Sequence, residues 1–199
     1  MIRFYPQPEP PAWDQRCRQR GQRWLTNHPD YKRPNDYWTA FEADLREAFL
    51  EMCSYCAMYV MKGEMDHFIP VATLKRRGTH ELAYEWSNFR YAASAINQRK
   101  HDHHVLDPFE VRDRWFSIIL PSLQLVLTDS VPTRQRKKAE FTITRLGLRD
   151  GEVVIRYRQK WFEMYRSGKL TLGGLAEVAP QIASAVETDL ERGKDWRLH

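Results

Sequence analysis

The clearest periodic signal in the chain runs from Asp36 to Met52. Trp38, Phe41, Leu45, Ala48 and Phe49 recur at three- and four-residue intervals through DYWTAFEADLREAFLEM, which predicts an amphipathic helix with Asp36 as its N-cap. Ahead of it, MIRFYPQPEPPAW is punctuated by prolines, each of which fixes φ and removes a backbone donor, so this stretch reads as extended. WDQRCRQRGQRWL then suits a short basic helix, ended by NHPDYKRPND. Residues 1–36 therefore form an arm. The favoured reading is a strap held on the core by Trp13 and Trp24; the alternative is that Arg16, Arg18, Arg20 and Arg23 touch phosphates.

The helical stripe vanishes between Cys53 and about Phe68. Tyr59, Val60 and Met61 lead into a Lys62-Gly63 turn signal, the pattern of a short hairpin. LKRRGTHELAYEW reads as a polar connection, followed by a strand or turn around Asn88. A helix starting near Ala92 would carry Asn97, Lys100 and His101. Beyond His104, RWFSIILPSLQLVLTD predicts two short strands around Pro121. Arg134 to Leu148 reads as a helix, and Asp150-Gly151 breaks the chain before a second from Glu152 to about Arg166. SGKLTLGG is a loop, and a final helix spans roughly Leu175 to Leu190. No repeat or low-complexity tract interrupts this order. The expected class is α+β, a strand–strand–helix unit set in a mainly helical single domain, divided as 1–36, 37–106 and 107–199.

Composition narrows the setting. At 199 residues, 42% hydrophobic and 29% charged, the chain has the balance of an ordinary globular protein and enough length for one core. Nothing approaches the apolar length of a transmembrane helix, and the proline-rich start lacks a signal peptide's apolar core, so no membrane association is expected and the cytoplasm is the expected compartment. A net charge of +5 suits a polyanionic partner. Three cysteines argue against a disulfide framework.

The chemistry concentrates between Cys53 and Lys100. Asp66 stands beside His67, and Asn88 and Asn97 follow. Aspartate and asparagine offer hard oxygens to a divalent cation, while histidine titrates near neutrality and can take a proton from water. Neighbours on a strand point to opposite faces, which lets Asp66 hold an ion while His67 addresses a water. Asn97 is the second candidate ligand. His101, four residues on, would share its helix face; it is a third ligand, a phosphate contact, or part of a solvated HDHH cluster. Arg99 and Lys100 are candidates for phosphate contact, as fork and point charge. Cys53 and Cys56 form one C-x-x-C, open to structural Zn²⁺ or to plain apolar packing.

CSYC, MDHFIP, EWSNFRYAASAINQRK and the later D-P-F resemble, in order and spacing, the HNH or ββα-metal endonucleases. The resemblance covers about residues 53 to 104 and implies a central ββα-metal unit holding one Mg²⁺ or Mn²⁺ between Asp66 and Asn97. It also implies His67 as general base and Asn88 as the residue that orients the His67 loop. The nucleic-acid substrate would be DNA in preference to RNA. Members with a structural zinc carry a second C-x-x-C; here Ala93 and Ile96 fall at its places, which excludes a four-cysteine site. The wider chain resembles the small HNH proteins of Septu- and retron-type anti-phage defence systems. That implies an ATPase partner, with the C-terminal region as its docking surface. A non-catalytic nucleic-acid-binding or zinc-binding interaction module on the same scaffold is the alternative.

Overall fold

The N-terminal prolines lead into a π-helical turn, Asp14–Arg18, that runs on as α1 (Gln19–Asn27) in a computed structural model describing residues 1–197. Trp13 is fully buried; its indole Nε1 donates to the Tyr84 carbonyl at 3.1 Å, and its ring meets Phe41, Trp86 and Phe89 edge-on. Trp13 thus straps the arm to the core, whereas Trp24 is half-buried and packs on His28 and Tyr31 within the arm. Its arginines are largely engaged: Arg18 pairs with Glu9, Asp14 and Glu85, while Arg16 and Arg20 lie over the rings of Phe41 and Tyr37.

The predicted stripe is buried at Trp38, Phe41, Leu45 and Phe49, but the segment is two elements. Tyr37–Phe41 winds as a 3-10 turn before α2 (Glu42–Ala48) begins. Asp36 caps through its carbonyl, which accepts from the Thr39 amide and hydroxyl, and not through its side chain.

The hairpin expected at Lys62-Gly63 lies elsewhere. Cys53 N donates to Met58 O and Val60 N to Glu51 O, closing a tight turn around Cys53–Cys56 with one bridge between Met52 and Tyr59. The strand that follows, β1 (Glu64–His67), pairs antiparallel with β2 (Phe89–Ala92), with Asp66 opposite Arg90 and His67 opposite Phe89. The polar connection between them folds into α3 (Val71–Arg77) and two 3-10 turns, His80–Tyr84 and Trp86–Asn88. Helix α4 (Ser94–Lys100) follows β2 at once. It ends one residue earlier than expected: His101 has φ +48° and leaves the helix axis, so the same-face argument for His101 and Asn97 does not hold.

The C-terminal half follows the expected order. β3 (Phe116–Ile119) and β4 (Gln124–Leu127) form a second antiparallel pair around Pro121, and α5 (Thr133–Arg145) and α6 (Glu152–Arg166) flank the Asp150-Gly151 break. The final helix is split into α7 (Leu172–Val178) and α8 (Pro180–Glu191). Proline at 180 has no amide to continue the ladder and pushes Ala179 out of the helical region, to φ −153°. SGKLTLGG is only half a loop, because the Thr171 hydroxyl accepts from Gly174 N and starts α7. With two small antiparallel sheets among helices, the fold is α+β. Among the described residues no helix is long and apolar enough to cross a membrane.

The β1–β2 hairpin divides two hydrophobic clusters. Phe89 and Tyr91 join an aromatic cluster with Trp13, Trp38 and Phe49. Ala92 and Ile96 join a more aliphatic one with Cys53, Cys56, β3 and the C-terminal helices. Gly63, at the start of the hairpin, donates its amide to the Tyr91 hydroxyl at 2.7 Å, and a Cβ there would fall 2.6 Å from that ring. Gly63→Ala is expected to force Tyr91 out of place and to cost about 1–3 kcal/mol in urea unfolding.

Candidate functional site

Alternation along β1 puts Glu64 and Asp66 on one face, and Met65 and His67 on the other. On α4, Asn97 and Lys100 are three apart and share a face. These two faces meet in parallel rungs. Asn97 Nδ2 donates to Glu64 Oε2 at 2.7 Å, and Lys100 Nζ donates to Asp66 Oδ1 at 2.8 Å. Ser94 closes the outer rung, donating its hydroxyl to Glu64 Oε1 at 2.5 Å.

Asp66 is buried and well served. Besides Lys100, it accepts from the Tyr55 hydroxyl at 2.6 Å through Oδ2. Burial, reinforced by the Asp66 charge and hydrogen bond, pushes the Tyr55 phenol well up, so it stays protonated and donates. Lys100 is wholly buried and also donates to the His67 carbonyl at 2.7 Å. The phosphate contact expected of Lys100 is therefore not made: its ammonium is spent inside the protein. Arg99 is exposed, its guanidinium against Gly147 in the turn after α5.

His67 faces the aromatic side. Its ring meets Trp38 edge-on at 4.6 Å and lies tilted 4.6 Å from Phe89. Nε2 sits 2.9 Å from the Ala83 carbonyl, which can only accept, so the neutral ring carries its proton on Nε2. The lone pair then lies on Nδ1, for which no partner is found among the described residues. Burial drives the imidazolium down to about 4, against the opposing pull of the Ala83 carbonyl and the Asp66 charge. His67 borders a cavity of about 310 Å³, lined also by Lys32, Arg33, Trp38, Met65 and Lys75.

Asn88 clasps the chain just after His67. Its Oδ1 accepts from Ile69 N at 2.7 Å, Nδ2 donates to the Ile69 and Leu82 carbonyls, and its own carbonyl accepts from Phe68 N. Next to it, Arg90 grips Asp107 with two bonds of 3.0 and 2.7 Å and lies 3.8 Å over the Phe109 ring, tying β2 to the D-P-F segment.

His101 is exposed, and its Nδ1 pairs with Asp102 at 2.8 Å; no contact joins it to Asn97 or Asp66 side chains among the described residues. Cys53 and Cys56 are buried free thiols, packed in the cluster that includes Ala93 and Ile96. Burial opposes ionising Cys53, but hydrogen bonds from the Cys56 thiol and nearby amides bring it down to about 7. Cys56 is pushed up in turn by that bond and by burial. Two thiols backed by two apolar side chains do not make the closed four-donor set of a structural zinc.

The other face carries hard oxygens, although among the described residues no three acidic, histidine or cysteine side chains are grouped as a metal site. Glu64 and Asp66 on β1 and the Oδ1 of Asn97 on α4 are hard oxygens of the kind a divalent cation takes. Glu64 was missed from the sequence, although its place two residues before Asp66 on a strand was the available signal. Lys32, Arg33, Trp38 and Lys75 were missed because they reach His67 only through the tertiary fold. No known family model matches the chain, and no curated protein matches its sequence.

Lys100→Met should leave the Asp66 carboxylate buried without its counter-charge, at a cost of about 3–5 kcal/mol in denaturant unfolding. Asp66→Asn in the same background should recover part of that loss. For His67, the unfolded ring protonates near 6.5 and the folded one near 4. The fold favours the neutral form, so stability present above 6.5 is lost as pH falls toward 4, by about 2–3 kcal/mol. Denaturant midpoints between those pH values should lose most of this slope in His67→Gln.

Proposed function

We propose that the chain is a metal-dependent endonuclease of the HNH type, hydrolysing nucleic-acid phosphodiester bonds, with DNA preferred to RNA. The observation that supports this reading is the β1–β2–α4 order, with Asp66 and His67 on β1 and Asn97 on α4, the order the resemblance would require. Glu64, Asp66 and Asn97 would hold one Mg²⁺ or Mn²⁺, which when bound supplies Lewis-acid stabilisation of charge on the phosphorane-like transition state and the leaving 3′ oxygen.

His67 Nδ1 then accepts the proton of the attacking water, with Nε2–H anchored to Ala83. At neutral pH the ring is already neutral, as a base must be. Its low basicity would rise beside an anionic phosphodiester, whose charge favours the imidazolium. Lys32, Arg33 and Lys75, around the His67 cavity, supply positive charge where that phosphate would approach. Asn88 keeps the His67 backbone in register. In the anti-phage reading, the chain is the cytoplasmic effector nuclease of a defence system. It docks an ATPase partner through residues 107–199.

A second reading, a non-catalytic nucleic-acid-binding module, is favoured by one specific feature. The Lys100 ammonium already neutralises Asp66, and Tyr55 takes the other carboxylate oxygen. That pair would hold the scaffold together without any divalent ion.

Cleavage of supercoiled plasmid with Mg²⁺ or Mn²⁺ separates the two. The nuclease reading expects nicking or linearisation, reduced at least about 100-fold by His67→Ala. It also expects loss on Asp66→Ala or Asn97→Ala, with products carrying 5′ phosphate. A folded wild type that binds DNA or RNA and cleaves neither leaves the binding module standing.

A further inference from the structure

Between β3 and α8 runs a groove of about 580 Å³ that shares no lining residue with the His67 cavity. Its lining is mixed: Phe116 and Ile118 from β3 and Ala185 from α8 are apolar, while Ser117, Gln181, Ser184 and Thr188 are polar. Its walls are basic: Arg3 on the N-terminal segment, Arg112 and Arg114 before β3, and Arg192 and Lys194 after α8. The acidic groups facing it are Asp113 and Asp189. Asp189 is occupied, 3.8 Å from Lys194 and accepting from the Trp196 indole at 2.9 Å.

The arginines of this groove differ from several others on the protein. Arg18, Arg90 and Arg149 each grip a carboxylate, and Arg158 is buried on backbone carbonyls. Arg112, Arg114 and Arg192 are exposed and pair with no carboxylate among the described residues, while Arg3 rests only on the Tyr5 ring. Guanidinium groups brought to one groove from three separate segments, without carboxylate partners, suit phosphate oxygens that each can take in a fork. Exposed Ile119 and the hydroxyl and amide side chains of the lining suit sugars and base edges. A compact anion would need the cations gathered at one point; these are spread along both walls.

We propose that the β3–α8 groove binds a stretch of nucleic-acid phosphodiester backbone, as a second contact surface apart from His67. This rests on the chain acting on nucleic acid, and not on its being catalytic. The groove adds affinity and fixes the strand path, which base-independent contacts of this kind do without reading sequence.

The test is a fluorescence-anisotropy titration of the full chain with short labelled single-stranded and duplex oligonucleotides over roughly 50–200 mM salt. Arg112→Ala, Arg114→Ala and Arg192→Ala are combined in one variant. As a charge-matched control, Arg134→Ala, Lys160→Ala and Lys169→Ala remove three exposed cations outside the groove. All six positions are exposed, so both variants should fold, which circular dichroism checks. The groove variant is expected to bind about tenfold or more weakly at low salt. The slope of log affinity against log salt should shrink by about 2–3, one near-unit step per lost phosphate contact.

The control should change little. Wild-type affinity and slope in the groove variant, or an equal loss in the control, would overturn the proposal. So would unchanged oligonucleotide binding with lost binding to polyglutamate, which would assign the groove to an acidic polypeptide. Oligonucleotide binding and plasmid cleavage are measured on the same wild-type preparation. Failure to cleave with groove-dependent binding intact would therefore remove the catalytic reading alone.

Discussion

The buried ion pair of Lys100 and Asp66 is the contact on which the centre of this protein depends. Lys100 has no exposed surface, and its buried nitrogen is served by two acceptors, the Asp66 carboxylate and the His67 carbonyl. The pair pins the last turn of α4 to β1. Through the Tyr55 hydroxyl it also pins the Cys53–Cys56 turn to the same strand. Because Lys100 holds the His67 carbonyl and Asn88 holds the amides of Phe68 and Ile69, the backbone on either side of the imidazole is fixed. The candidate base is therefore positioned by its main chain first and by its ring contacts second.

The hairpin works as a partition. One side is packed by aromatic rings from the arm, the Trp38 turn and β2, so His67 sits in a low-dielectric wall that keeps it neutral. The other side turns the Glu64 and Asp66 carboxylates toward Asn97 and Lys100 on α4. Adjacent residues on one short strand thereby acquire opposite electrostatics: His67 is relieved of its proton while Asp66 stays next to a cation. Arg90 and Asp107 stabilise the same partition from below. Their two-pronged contact joins β2 to the segment against which Phe4 also bonds, closing the N-terminal strap over the aromatic cluster.

Much of this was legible where local pattern and tertiary demand agree. The Trp38–Phe49 stripe, the strands flanking Pro121, and the helix from Glu152 to Arg166 follow from periodicity and breakers alone. What was not legible is non-local. β1 finds its partner beyond α3 and two turns, so a nearer pairing at Lys62-Gly63 looked adequate from sequence. Lys100 reads as a phosphate ligand because lysines are mostly exposed, and only a buried carboxylate from another element reverses that expectation. Glu64 was overlooked because its partners, Ser94 and Asn97, lie about thirty residues on. His101 fell outside the helix because α4 ends at a left-handed residue that no periodicity signals.

The ion pair also bears on how a divalent cation would be taken up. Each Asp66 oxygen has two acceptor positions, and Lys100 and Tyr55 use one apiece, so a hard ion is not sterically replaced by them. It must instead share the carboxylate with a neighbouring ammonium, which weakens its hold electrostatically. Glu64 and Asn97 bring the compensating charge and oxygen from the outer rung. Such a site favours loose, exchangeable binding over a tight structural one, and its affinity would gain from a phosphate that contributes further oxygens. Metal and phosphodiester would then bind with positive coupling, since each supplies the ligands or charge the other lacks. In the proposed reading, the buried Lys100, unable to reach substrate, would set how strongly such a site depends on it.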